Sequence, residues 1–214
     1  MNNVDFLISG YPRSGTGYIT TVFDYFGYDV GHELIGKHGI SCWTFAVEDD
    51  NCLHGNPKKS KSHHKHIKDL TRKKIKYKYM IHIVRNPKDV LRSMYNTVPR
   101  NHECFKFILK HTNQNNCSSF IEEIMESIVQ WNYMIEENSP DLVFNTESDI
   151  SNIERFLIKK KYPVNIKDKI LSKTYNTRKN SYNCFDIDIN NINQDVLKNF
   201  NNHCIKYGYE ELKR

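Results

Sequence analysis

Apolar residues cluster in two ways along this chain. Short runs at Val4, Phe6, Leu7 and Ile8, and at Tyr79-Met80-Ile81-His82-Ile83-Val84, have the length and composition of buried strands. Other segments repeat every three to four residues. Ile19, Val22, Phe23 and Phe26 predict a helix over 17–27, and Val90, Leu91 and Met94 predict one that starts at Pro87. Ile121, Ile124, Met125, Ile128, Trp131 and Ile135 predict a long helix over 118–138, capped by Ser118 or Ser119. Weaker patterns add a strand at Tyr28–Val30 opening into Gly31-His32-Glu33, a helical turn or two around Trp43, Phe45, Ala46 and Val47, and a short helix at Phe105–Leu109. They also add a strand at Asp141–Phe144 and helices at Ile153–Lys160 and Asp195–Lys206. Strands alternating with helices imply an α/β fold of three layers, a P-loop-type central parallel sheet flanked by helices. The whole chain, 1–214, is expected to form one domain.

In such sheets ligands sit at the carboxyl ends of strands. Two segments fall there. Gly10-Tyr11-Pro12-Arg13-Ser14-Gly15-Thr16-Gly17-Tyr18 joins the first strand to the first helix. A helix start leaves N–H groups unpaired and partly positive, and a glycine loop lets an anion approach them, so this segment suits phosphate or sulfate. It departs from the triphosphate loop G-x-x-x-x-G-K-[ST]: Thr16 and Gly17 follow Gly15, so the lysine of the magnesium corner is missing. The cation is Arg13 instead, whose guanidinium can grip two anion oxygens. The second segment, Arg85-Asn86-Pro87-Lys88-Asp89-Val90-Leu91-Arg92-Ser93, puts an Arg at a strand end and a Ser about two helical turns later. A charged fork plus a hydroxyl suits a phosphate monoester; a helix start with an ordinary solvated Arg fits the same residues.

Together the two segments resemble the sulfotransferases that use 3′-phosphoadenosine 5′-phosphosulfate (PAPS). Tyr11 to Tyr18 is similar to that family's 5′-phosphosulfate loop Y-P-K-S-G-T-T-W, with Arg13 for Lys, Gly17 for Thr and Tyr18 for Trp. Arg85 to Ser93 is similar to the 3′-phosphate motif R-x-P-x-x-V-x-x-S, and Tyr175-Asn176-Thr177-Arg178-Lys179 resembles a late segment that closes over the cofactor phosphates. The resemblance implies that N–H groups of Ser14, Gly15, Thr16 and Gly17, with the Thr16 hydroxyl and Tyr18, hold the 5′-phosphosulfate. It implies that Arg13 balances charge on the departing oxygen, that Arg85 and Ser93 hold the 3′-phosphate, and that Arg178 adds a phosphate contact. The product would be adenosine 3′,5′-bisphosphate, and the arrangement requires no metal.

An acceptor hydroxyl needs a base. Cytosolic members use a His that has no clear counterpart here, although His102 and His111 lie downstream of the second motif; Golgi-type and some bacterial members use a Glu shortly after the second strand. That implies Glu33 as base, with His32 second, if the second strand runs beside the first. Lys37, His38 and Trp43 are candidates for the acceptor or adenine pocket, where Trp43 could stack on adenine, and a core Trp43 fits at least as well. Glu147 ends a strand, where a catalytic role is open but a helix-capping or structural one is expected.

Charge and cysteine content narrow the setting. The net charge of +6 favours an anionic acceptor, and a glutamate base favours a carbohydrate hydroxyl. The basic stretch Lys58–Lys78 has few interleaved aromatics, so sequence-specific nucleic-acid binding is not expected. His63, His64 and His66 lie among lysines that would repel a metal cation. Six dispersed cysteines without a C-x-x-C pair, no signal-peptide pattern and no apolar run long enough to span a membrane point to a cytoplasmic protein with reduced thiols. Two readings compete: a P-loop kinase for a nucleoside or small metabolite, which the absent lysine argues against, and a module that binds PAPS or a polyanion without catalysis.

Overall fold

The computed structural model describes residues 2–49, 72–166 and 187–213. Five strands, β1 (Asn2–Ser9), β2 (Val30–His32), β3 (Gly39–Ser41), β4 (Ile75–Val84) and β5 (Leu142–Asn145), form one parallel sheet in the order β2-β3-β1-β4-β5. Among the described residues six α-helices accompany it: α1 (Thr16–Tyr25), α2 (Pro87–Thr97), α3 (Glu103–His111), α4 (Phe120–Glu136), α5 (Ser151–Lys159) and α6 (Gln194–Lys206). This is the three-layer α/β architecture expected. Among the described residues no helix is long and apolar enough to cross a membrane.

The sheet sorts its side chains by the two-residue period of a strand. Phe6, Ile8, Ile81 and Ile83 pack with Ile19, Val22 and Phe23 of α1 and Ile153, Phe156 and Leu157 of α5. Met80, on the other face, packs with Leu91 and Met94 of α2, Ile128 and Trp131 of α4, and Phe200 of α6. The central strands are therefore covered on both faces, which is why their core halves read as nearly continuous apolar runs.

Helix starts follow the sequence signals. Asn86 caps α2 by accepting from the Lys88 N–H, with Pro87 in the first turn. Ser119 caps α4 and Glu122 closes the reciprocal capping box.

Two expectations need correction. The second strand does not run beside the first: β3 lies between them, pairing with β1 at Phe6, Leu7 and Ile8 and with β2 at Val30, Gly31 and His32. β3 holds only three residues, one of them large and apolar, too little for a periodic signal. A parallel pair ordinarily needs a crossover of a dozen residues or more; here residues 33–38 suffice because the turn is bonded internally, Gly36 N–H to Gly39 C=O at 2.9 Å and His38 N–H to Asp29 C=O at 2.8 Å. In addition, β4 begins at Ile75 rather than Tyr79, since its first half alternates, with Lys76 and Lys78 exposed and Lys78 paired to Asp5 at 2.6 Å.

Candidate active site

The loop after β1 is shaped by close approach and by backbone handedness. Gly10 lies against β4: a Cβ there would fall 2.4 Å from the Ile83 carbonyl oxygen. Arg13 (φ 73°) and Gly15 (φ 97°) are left-handed on either side of Ser14, a pattern that gathers backbone N–H groups into an anion-binding concavity. The Ser14 N–H itself donates to the Tyr11 carbonyl at 3.0 Å, so the cradle's backbone donors begin at Gly15 rather than Ser14. The next four, Gly15 to Tyr18, are those that the start of α1 leaves without intrahelical partners. Among the described residues no side chain caps that helix. Tyr11 anchors the loop from below, fully buried, its hydroxyl 2.8 Å from the Ser127 Oγ of α4. Gly10→Ala is accordingly expected to cost about 2 kcal/mol in urea unfolding and to weaken anion binding, because backbone rather than a side-chain end must yield.

The loop after β4 meets this cradle directly. The Arg13 Nε–H donates to Ser93 Oγ at 3.0 Å, and an Arg85 guanidinium N–H donates to the Arg13 carbonyl at 3.3 Å. Ser93 is buried in α2. Residues some 80 positions apart therefore form one cationic centre between two helix N-termini.

The third component comes from β2. His32 Nε2 lies 3.3 Å from Thr16 Oγ1 and 4.0 Å from a Glu33 carboxylate oxygen. Glu33 is 8 % exposed and left-handed (φ 56°), and its N–H donates to the Ser41 carbonyl at 2.9 Å. Ser41 Oγ in turn donates to the Thr16 carbonyl at 2.8 Å, so the intervening β3 ties β2 to α1 instead of separating them. Glu33 itself is linked to the cradle through His32 and β3 rather than by a strand beside β1. The Cys104 thiol at the start of α3 is pushed up to about 11 by burial and by the Glu33 charge.

Other candidates fall elsewhere. Lys37 N–H and Asp29 N–H bond to the Asp29 carboxylate and to His38 Nδ1 in the turn feeding β3, at the amino ends of the strands and away from the loops. Trp43 is buried against Phe107 and Trp131 and is a core residue rather than an open stacking platform. His102 caps α3 through Nδ1, and His111 pairs with Asp49 at 2.9 Å. Arg178 with its segment, the histidines of the basic stretch, Cys52 and Cys184 lie outside the described residues. The other four cysteines are free thiols, and among the described residues no three His, Cys, Asp or Glu side chains gather as metal ligands.

With both anion loops and the neighbouring carboxylate in place, comparison with known proteins is direct. The model of the sulfotransferase domain family matches residues 3–160, about three quarters of the chain. The chain belongs to that family. Neither a curated protein nor a solved structure matches it. The match spans β1 to α5 and so contains both loops and Glu33 of this sulfotransferase, whereas α6 and the tail after it lie beyond the matched region. It also sets aside the kinase reading.

Proposed function

We propose that this sulfotransferase takes its sulfuryl group from PAPS and delivers it to a hydroxyl acceptor, with Glu33 as general base. The observation that carries the reading is the Arg13–Ser93 hydrogen bond, which joins the two anion loops into a single site. A donor with phosphate groups at both its 5′ and 3′ ends matches two loops held this way; a simple triphosphate brings no 3′-phosphate to Arg85 and Ser93.

The residues take separate roles. The uncapped start of α1 and the Thr16 hydroxyl hold the 5′-phosphosulfate, and Tyr18, partly exposed in the first helical turn, offers its ring beside it. Ser93 accepts from Arg13 and keeps its own proton to donate to the 3′-phosphate, with Arg85 alongside. Glu33 takes the acceptor's proton as the new O–S bond forms and the bond to the bridging phosphate oxygen breaks. Arg13 stabilises the negative charge left on that oxygen. His32 lies between Thr16 and Glu33 and keeps the base oriented toward the phosphosulfate end. Positioning and charge stabilisation supply most of the rate, as in phosphoryl transfer. Net positive charge and a carboxylate base support an anionic carbohydrate as acceptor.

The test is transfer of label from sulfur-35 PAPS to an acceptor panel of anionic and neutral glycans, tyrosyl peptides and small phenols, run in EDTA. Labelled glycan is expected. Labelled product in another class alone would retain the donor and the base but replace the acceptor; no labelled product with any acceptor would count against catalysis and favour a binding module.

A further inference from the structure

Glu147, just past β5, holds three groups at once. One carboxylate oxygen accepts the Asn86 N–H at 3.2 Å, and the other accepts the Tyr209 hydroxyl at 2.6 Å and the Thr146 hydroxyl at 3.0 Å. Asn86 directly follows Arg85 and caps α2. Tyr209 belongs to the segment after α6, and its hydroxyl is pushed well above the ordinary tyrosine range by burial and by the bond to Glu147. The same segment is fastened next door, where the Asn145 side-chain N–H donates to the Tyr207 carbonyl at 3.1 Å. Farther along, the Leu212 N–H donates to the Asn201 side chain at 2.9 Å, folding the tail back on α6.

Thr146 completes the junction. Its N–H donates to the Val84 carbonyl at 2.8 Å, and its methyl group closes on the first loop, so that a Cβ at Gly15 would lie 2.8 Å from it. Residues 145–147 thus touch the first anion loop, the second anion loop and the C-terminal tail.

We propose that Glu147 and Tyr209 form a latch through which the C-terminal tail positions the Arg85-Asn86 corner for the donor's 3′-phosphate. This rests on the PAPS reading above. Glu147 and Tyr209 are positioning residues: neither needs to touch the donor. Glu147 holds the Asn86 amide, which orients the neighbouring Arg85, and Tyr209 holds Glu147 in place by donating its hydroxyl proton. By linkage, a ligand that needs the corner in place also tightens the tail by the same factor. Tyr209 lies outside the region the family match covers.

Tyr209→Phe tests it, because the ring stays packed and only the hydroxyl goes. The full chain is titrated by calorimetry with adenosine 3′,5′-bisphosphate and with adenosine 5′-phosphate, which lacks the 3′-phosphate. The variant is expected to bind the bisphosphate about fivefold more weakly, the scale of one hydrogen bond to a charged group acting indirectly, and the monophosphate as wild type does. In the transfer assay the donor KM rises by a similar factor with kcat unchanged. In wild type the bisphosphate also slows amide exchange in residues 207–213, and in Tyr209→Phe this protection shrinks. If wild type prefers the bisphosphate but the variant keeps that preference in full, the latch is wrong and the PAPS reading stands. Equal weakening toward both nucleotides assigns Tyr209 to general stability and likewise overturns the latch. If wild type does not distinguish the two nucleotides, the 3′-phosphate assignment fails and the latch fails with it.

Discussion

Glu33→Gln is expected to lower kcat for sulfuryl transfer by about 10²–10⁴-fold, the usual worth of a positioned general base, with affinity for adenosine 3′,5′-bisphosphate unchanged. The substitution keeps shape and the backbone bond from Glu33 N–H to the Ser41 carbonyl while removing the proton acceptor. The location makes the effect specific. Glu33 is almost fully buried and sits one residue from His32, whose Nε2 reaches the cradle's Thr16 hydroxyl. It is not part of either anion loop, so nucleotide binding has no reason to change. Labelled-sulfate kinetics and calorimetry on the same preparation measure the two quantities. A variant with wild-type kcat would remove Glu33 as base and turn attention to His32.

A second large effect is thermodynamic and lies away from the site. Stability is expected to fall steeply as pH drops from about 6.5 to about 4. His82 in β4 and His203 in α6 are buried and share Asn132 of α4, at 2.8 Å from His82 Nε2 and 3.2 Å from His203 Nε2. Tyr207 packs edge-on to both rings, and its hydroxyl donates to Glu136 at 2.7 Å; Lys206 also pairs with Glu136. Burial lowers His82 to about 4, against the opposing Asn132 bond, and burial with the Lys206 charge lowers His203 to about 4.

The folded chain therefore keeps both rings neutral in a range where the unfolded chain protonates them. Below the unfolded value near 6.5 the unfolded state binds more protons, so stability declines as pH falls, and the decline ends near the folded value. At pH 5 the loss amounts to roughly 2 kcal/mol per histidine relative to neutral pH. The half-buried carboxyl of Glu136 does not mimic this. Burial raises its value, but bonds from Lys206 and Tyr207 bring it below the ordinary 4.5, so its loss begins only in more acid solution. Urea midpoints at pH 7, 6 and 5 measure the slope, and a His203→Gln variant should lose about half of it. Equal midpoints at pH 7 and 5 would show that these rings are not neutral in the fold.

What was legible in the sequence follows from the range of the forces involved. Strand, loop and helix order was readable because core burial writes itself into periodicity, as in β1, α1 and α4, and because caps such as Asn86 and Ser119 act within a few residues. Both anion loops could be found for the same reason: each is a local strand end followed by a helix start. β3 was not legible, because three residues with a single large apolar side chain carry no period, and the lysines of early β4 hid a half-exposed strand. The Arg13–Ser93 and Glu147–Tyr209 contacts join distant segments, and no local pattern announces them. His82 gave a faint signal, a lone titratable residue in an apolar run, but its partners on α4 and α6 follow only from packing. Lys37 and His38 were misplaced because their distance from the loop in sequence says nothing about which end of the sheet they occupy, while Trp43 takes the core position that its sequence context equally allowed.

The central claim is that the two loops form one site for a nucleotide bearing both a 5′-phosphosulfate and a 3′-phosphate. Thermal unfolding of the wild-type chain in EDTA with adenosine 3′,5′-bisphosphate, set beside unfolding with magnesium and ATP, tests it most directly. Ligand that binds only the folded chain raises the midpoint by mass action, by about 2.7 kcal/mol of stability at a hundredfold excess over Kd. A rise with the bisphosphate in EDTA, and none with magnesium-ATP, is the predicted result. Stabilisation by magnesium-ATP alone would contradict it.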